Sequence, residues 1–219
     1  MKAINCSIVI LSFFLFSCNG FLKENESKDL LTLTKAKNIE VNEEGKDIVV
    51  NIYESKLTNL NVVNLYSSTI AVRVFGIGKR KKNILFYDGN CVINFMNSDS
   101  IISSRKFPYT ELFDIVEVYK SMNKVLQSIC ENNESSLLLQ VDNDIFSSEE
   151  RKGFIKILLS SDLCLSKIDY TIYGYVIESE NSLDKKIISV YVNFSQKNDR
   201  NIVFNYLKKS KKLVGVEEL

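Results

Sequence analysis

The chain contains no histidine and no tryptophan, a single proline and only eight glycines in 219 residues. The missing histidine excludes Ser-His-Asp and Cys-His hydrolases, imidazole metal sites and histidine proton relays together. Scarce Pro and Gly leave no Pro/Gly/Ser-rich linker in the body of the chain, so no boundary between domains is visible there. A charge excess is missing too. With 28 Lys+Arg against 27 Asp+Glu, the net charge of +1 exerts no bulk pull on nucleic acid or an anionic surface.

What is present is a globular composition, 45% hydrophobic and 25% charged. The length suits one domain, at roughly 100–200 residues per domain. Lys outnumbers Arg 23 to 5, and Ile and Asn reach 23 and 22. The codons of Lys, Ile and Asn are rich in A and T, which points to a genome bias, and a single surface Lys or Asn therefore carries little functional information.

Residues 1–17 read as an export signal rather than as part of the fold. Lys2 supplies the positive start, and Ile8-Val9-Ile10-Leu11-Ser12-Phe13-Phe14-Leu15-Phe16 the apolar run. That run is too short for a membrane span of ~20 residues. Leu15-Phe16-Ser17-Cys18 follows, with an aliphatic residue at −3, a small one at −1 and Cys at +1. This resembles the lipobox of bacterial lipoproteins, with Phe16 standing where a small residue is usual. The resemblance implies that Cys18 becomes the lipidated first residue of the mature chain, attached to the membrane by two or more acyl chains. Asn19 in place of Asp leans away from inner-membrane retention. The loose lipobox, the polar stretch after it and the Lys/Asn/Ile-rich body together resemble outer-membrane lipoproteins of spirochaetes, the borrelial type in particular. The motif part of that likeness covers residues 1–35. Removal of residues 1–17 takes away Lys2 alone and leaves a mature chain near neutrality.

Residues 18–37 read as the lipidated Cys and a flexible tether, with Leu30-Leu31-Thr32-Leu33 able to dock on the body. Residues 38–219 read as one α+β domain, an antiparallel β-meander with two helices packed on the sheet. Strands are predicted at Ile39–Val41, Asp47–Tyr53, Leu60–Tyr66 and Thr69–Ile77. In the last of these, Ile70, Val72 and Val74 alternate with Thr69, Ala71 and Arg73. Glu44-Gly45 marks a turn. Asp88-Gly89 is read as a tight turn of positive φ between Asn83–Tyr87 and Cys91–Met96. Pro108 opens a helix whose stripe Leu112, Ile115, Val116, Tyr119, Met122, Leu126, Ile129 runs to Cys130. Leu137–Val141 reads as a short buried strand. Ser147 and Glu150 have capping-box spacing ahead of a helix facing inward through Phe154, Ile157 and Leu158. Asp169–Glu178 and Lys186–Phe194 form a hairpin through Asn181-Ser182, and Ile202–Leu207 adds a last strand.

Candidate chemistry is sparse. Cys91, Cys130 and Cys164 remain after export and read as buried thiols, although Cys130 and Cys164 could pair. With no His and no C-x-x-C, neither zinc nor any cofactor is expected. The run from Arg73 to Lys82 lacks P-loop spacing and reads as a hairpin tip; its cations Lys79, Arg80, Lys81 and Lys82 could hold a sulfated glycan, a lipid head or an acidic protein patch. Tyr173 and Tyr175 share a strand face, with Tyr191 placed opposite Tyr173, and Tyr offers large contact area with a polar tip. The acidic groups Asp142, Asp144, Glu149, Glu150 and Asp184 form no motif, and Ser121-x-x-Lys124 falls inside a helix. The expected protein is therefore a non-enzymatic, lipid-anchored lipoprotein of the cell surface, with the membrane and a host protein or glycan as partners and no nucleic acid. The alternative is a periplasm-facing scaffold or assembly subunit of an envelope complex.

Overall fold

Two four-stranded sheets organise the computed structural model, which describes residues 21–57, 59–82, 88–161, 163, 170–180, 185–194 and 200–219. In chain order the elements are α1 (Glu24–Thr34), β1 (Asn38–Glu44), β2 (Asp47–Tyr53), α2 (Leu60–Lys82), β3 (Asn90–Asn97), β4 (Ser100–Pro108) and α3 (Tyr109–Cys130). There follow α4 (Glu134–Gln140), α5 (Ser148–Ser160), β5 (Tyr170–Glu180), β6 (Lys185–Phe194), β7 (Arg200–Leu207) and β8 (Leu213–Glu218). The first sheet has the order β1-β2-β3-β4 and the second β5-β6-β7-β8. All neighbours are antiparallel except β2 and β3, which run parallel. The inner faces of both sheets and all five helices contribute to one apolar core. The chain is thus a single α+β domain, as expected, with five helices among the described residues where two were foreseen.

The largest departure lies at 60–82, where two predicted strands are the single helix α2. A parallel β2–β3 pair needs a crossover, and α2 supplies it. The alternation at 69–74 misled because α2 is apolar nearly all round: Val63, Ile70, Ala71, Val72, Val74, Phe75 and Ile77 are all buried. A helix surrounded by protein needs no polar stripe and so shows no helical period. It packs against β3, β5, α1 and α3. At about 1.5–3 kcal/mol per large apolar side chain, its burial decides the conformation over local β propensity.

Four smaller corrections have equally local causes. The expected tether holds α1, whose Leu30 is buried, and Phe21 ahead of it is already in the core. Residues 137–140 belong to α4 (Glu134–Gln140), capped by Asn133, which accepts from the Ser136 amide at 3.0 Å. Only Val141 keeps strand character, in an isolated parallel bridge to Leu213. In α5 the buried residues are Ile155 and Leu158, while Ile157 is 66% exposed. Phe154 stacks on Phe146 at 5.2 Å, which sets the rotation of that helix. Strands β4 and β8 were not foreseen. The proposed hairpin arm 83–87 and the turn at 181–184 lie outside the described residues.

Other readings hold. The β1–β2 hairpin turns at Gly45 with φ +64°. Pro108 caps α3, whose inner stripe includes Leu112, Ile115, Met122, Leu126 and Ile129. The Ser147–Glu150 capping box forms in both directions, with Ser147 N donating to Glu150 Oε2 at 2.9 Å and Glu150 N to Ser147 Oγ at 3.3 Å. Ser147→Ala is expected to cost about 1 kcal/mol, read as a lower urea midpoint at unchanged slope. Cys91 is a free, buried thiol whose pKa is pushed up by burial and then by Asp47. Cys130 is disulfide-bonded, against the expectation of three buried thiols, and Cys164 lies outside the described residues.

Candidate functional site

The second sheet presents two unlike faces because side chains alternate along each strand. Ile188, Val190, Val192, Phe204 and Tyr206 point inward and are buried. The outer face is built from cross-strand rows: Gly174, Tyr191, Val203 and Glu217 in one, and Val176, Ser189, Asn205 and Gly215 in the next. Gly215 ends the second row and leaves space beside Asn205, whereas α2 covers Gly174 at the end of the first. The result is a concave trough of about 590 Å³, with Ile187, Tyr191 and Val203 on its floor and Glu178 and Glu217 on its rim.

A polar ladder crosses the trough. Ser189 Oγ donates to Asn205 Oδ1 at 2.8 Å, and Asn205 Nδ2 donates to Glu217 Oε1 at 2.6 Å. No cation is among the described residues that line it. Tyr191 has its phenol pKa raised, first by partial burial and then by the negative charges of Glu178 and Glu217. The phenol therefore stays protonated through the physiological range and keeps its hydroxyl as a donor. An aromatic ring, an aliphatic floor and two carboxylates suit a ligand with apolar and cationic groups.

The three tyrosines singled out in the sequence do not share a surface. A β-bulge between Ile172 and Gly174 places Tyr191 opposite Gly174, not Tyr173. Tyr173 turns toward α2, its ring 5.8 Å from that of Tyr66. Tyr175 is buried and donates its hydroxyl to Glu111 Oε1 at 2.6 Å. Burial, followed by the charge and hydrogen bond of Glu111, drives its pKa far upward. Tyr175 and Glu111 line a smaller cleft of about 330 Å³ between β4 and β5, together with Arg105, Phe107 and Ser68. Its polar groups largely satisfy one another: Ser68 Oγ accepts from Tyr175 N at 3.2 Å, and Arg105 Nη1 donates to Asn64 O at 3.4 Å. Only Tyr191 of the three thus reaches the trough.

The cations at 79–82 sit on the last turn of α2 rather than on a hairpin tip. Lys79 Nζ lies 4.3 Å from the centroid of the Phe113 ring, and Arg80 Nη2 approaches Glu26 Oε1 at 3.5 Å. A helix C-terminus favours cations. Asp142 is a fully buried structural group, and Ser121 bonds Gln140 Oε1 at 3.3 Å. Cys18 and Asp184 lie outside the described residues. The trough residues Glu178, Ser189, Asn205 and Glu217 escaped the sequence reading because β8, which completes the face, went unrecognised. The apolar run Leu213-Val214-Gly215-Val216 after the lysine-rich turn at 208–212 was the available signal. Comparison with protein-family models, curated proteins and solved structures found no match.

Proposed function

We propose that this protein is a lipid-anchored, non-enzymatic lipoprotein of the outer membrane, which presents the outer face of its second sheet to a host or other extracellular ligand. The reading is carried by the export signal ending in Leu15-Phe16-Ser17-Cys18. The disulfide at Cys130 supports it, since disulfides persist chiefly in oxidising compartments outside the cytosol. The chemistry of the trough favours a peptide segment carrying Lys or Arg over a sulfated glycan, which Glu178 and Glu217 repel.

A second reading, a periplasm-facing scaffold, is favoured by β4. It is an edge strand of the first sheet with Ile101 and Ile102 exposed at 57% and 66%. Such an edge can pair with a strand of another protein.

Palmitate labelling of growing cells tests the anchor. Wild-type chain is expected to carry label and to partition into detergent, while Cys18→Ala is expected to lose both properties. Unlabelled wild-type chain, or an unmodified amino terminus by mass spectrometry, refutes the anchored reading. Protease added to intact cells is expected to remove the head. Protection until the outer membrane is opened favours the scaffold instead.

A further inference from the structure

We propose that the trough on the second sheet binds an extended peptide segment with two basic side chains at positions i and i+4 and an apolar side chain midway between them. The inference deepens, and rests on, the proposed reading of that face as the ligand surface.

The shape of the trough sets a direction. Along one diagonal its corners are closed. At the β5 side α2 lies over Gly174, where an added Cβ would meet Leu65 O at 2.6 Å. At the start of β8 the segment carrying Ile145 is fastened to the sheet, since Asp142 N donates to Leu213 O at 2.9 Å, and Ile145 and Val214 line that side. Along the other diagonal stand the exposed residues Glu178 on β5 and Glu217 on β8. A chain laid in the trough therefore runs from one carboxylate to the other and crosses the strands obliquely.

Strand geometry sets the length. Glu178 pairs with Ile187, while Glu217 belongs to the row of Tyr191 and Val203. These rows lie about 14 Å apart along β6, and β5 and β8 are separated by about 14 Å across the sheet. The Cα atoms of the two glutamates are thus about 20 Å apart. Both carboxylates raise the pKa of the Tyr191 phenol between them, so both lean inward over the floor. An extended chain advances about 3.4 Å per residue and repeats its side-chain direction at every second position. Side chains at i and i+4 consequently point down together about 14 Å apart and reach outward to the carboxylates. A spacing of three turns one of them to solvent, and a spacing of two covers only about 7 Å. Residue i+2 falls over Tyr191 and Val203, whose ring and methyl groups suit an apolar side chain.

Charge and hydrogen bonding select the occupant. Glu217 accepts from the neutral Asn205 amide at 2.6 Å, and no cation is among the described residues that line the trough. Two negative charges are therefore left for a ligand to match. A linear polyamine would match them as well. Its methylene chain offers nothing to the Tyr191 hydroxyl, a donor, or to the lone pairs of the Ser189 hydroxyl at mid-floor, whereas a peptide backbone supplies a carbonyl for the one and an amide for the other.

The chain from position 18 with Cys18→Ala contains every described element and carries no acyl group, and amide NMR titration of it reports both where a peptide binds and how tightly. The probes are the capped peptides Lys-Ser-Leu-Ser-Lys, Lys-Ser-Leu-Lys-Ser and Lys-Ser-Leu-Ser-Ser. The first is expected to shift the resonances of Ser189, Tyr191 and Asn205 and to bind about three- to fivefold more tightly than the other two, the gain of one more exposed ion pair. Glu178→Gln and Glu217→Gln are each expected to erase that difference, as is raising salt from about 50 to about 500 mM. The amide spectrum shows whether each variant is folded, and the comparison of peptides on the unaltered protein stands without them. Spermine binding as tightly as the first peptide overturns the peptide occupant. Equal binding of the first two peptides in the trough overturns the i, i+4 spacing while leaving the outer face as the ligand surface. No shift at the trough with any of the three overturns the inference altogether, whereas palmitate labelling and protease treatment decide the anchored display separately.

Discussion

Asp142→Ala is expected to destabilise the protein by about 3 kcal/mol, which for a chain of this size lowers Tm by roughly 6–12 °C. Asp142 is fully buried. Its Oδ1 accepts from the amides of Asp144 at 2.8 Å and Ile145 at 3.1 Å, closing an Asx turn. Its Oδ2 accepts from Ser210 Oγ at 2.6 Å, and its own amide donates to Leu213 O at 2.9 Å. One carboxylate therefore fastens the α4–α5 connection to the β7–β8 turn, 68 residues further along the chain. Hydrogen bonds to a charged group contribute about 1.5–3 kcal/mol each. The sum is discounted because Asp144 and Ser210 are exposed and water can replace part of what they lose.

Two companion variants make the prediction specific. Asp142→Asn keeps the Oδ1 acceptor and lets the Ser210 hydroxyl rotate to accept, so about 1 kcal/mol is expected. Asp144→Ala removes an exposed side chain and is expected to stay within about 0.5 kcal/mol. Urea unfolding of the three variants checks the order. An Asp142→Ala midpoint within error of Asp144→Ala would show that the latch contributes nothing.

Asp142 also illustrates what the sequence could and could not disclose. The letters Asp142-Asn143-Asp144 were legible as a loop, but nothing local indicates that Ser210 and Leu213 will meet them. Signals confined to a few neighbouring residues carried over well: the Ser147–Glu150 box, the Gly45 turn and the α3 stripe are all set by contacts within one or two turns. Signals that depend on what surrounds a segment did not. The α2 sequence alternates like a strand and is helical because protein encloses it. Gly89 was read as a residue of positive φ, yet Gly45 is the only glycine of positive φ among those described. The need for glycine at 89 is steric instead: an added Cβ would lie 2.3 Å from Lys46 O and from the Tyr109 ring. In the candidate site, the tyrosines were visible as residue types, while one bulge decided which of them faces out.

That bulge belongs to the seam between the second sheet and the central helix, and Gly174→Ala is expected to open it. Strand β5 is an edge of its sheet, and its unpaired backbone groups turn to α2. Thr69 Oγ1 donates to Ile172 O at 3.3 Å, and Tyr175 N donates to Ser68 Oγ at 3.2 Å. These bonds account for the buried Ser68 and Thr69 in a largely apolar helix, because an edge strand brought against protein needs side-chain partners, while the neighbouring Ser67 donates to Val63 O within α2. They form only if helix and strand approach closely, and Gly174 is where they do. A Cβ at 174 would lie 2.6 Å from Leu65 O and 2.7 Å from Ser68 Oγ. The carbonyl belongs to a helix backbone and cannot rotate aside, so α2 and β5 must separate and the hydroxyl bonds lengthen together. The expected cost is about 2–4 kcal/mol, combining steric strain with loss of the bonds. Gly153→Ala is the control. It sits in α5 with nothing within 4 Å of an added Cβ, and the better helix former should add about 1 kcal/mol of stability. Opposite shifts in Tm are therefore expected from the same chemical change. If Gly174→Ala melted at or above the parent temperature, the close approach would not hold the edge of β5. The trough would then owe its shape to the β5–β6–β7–β8 ladder alone.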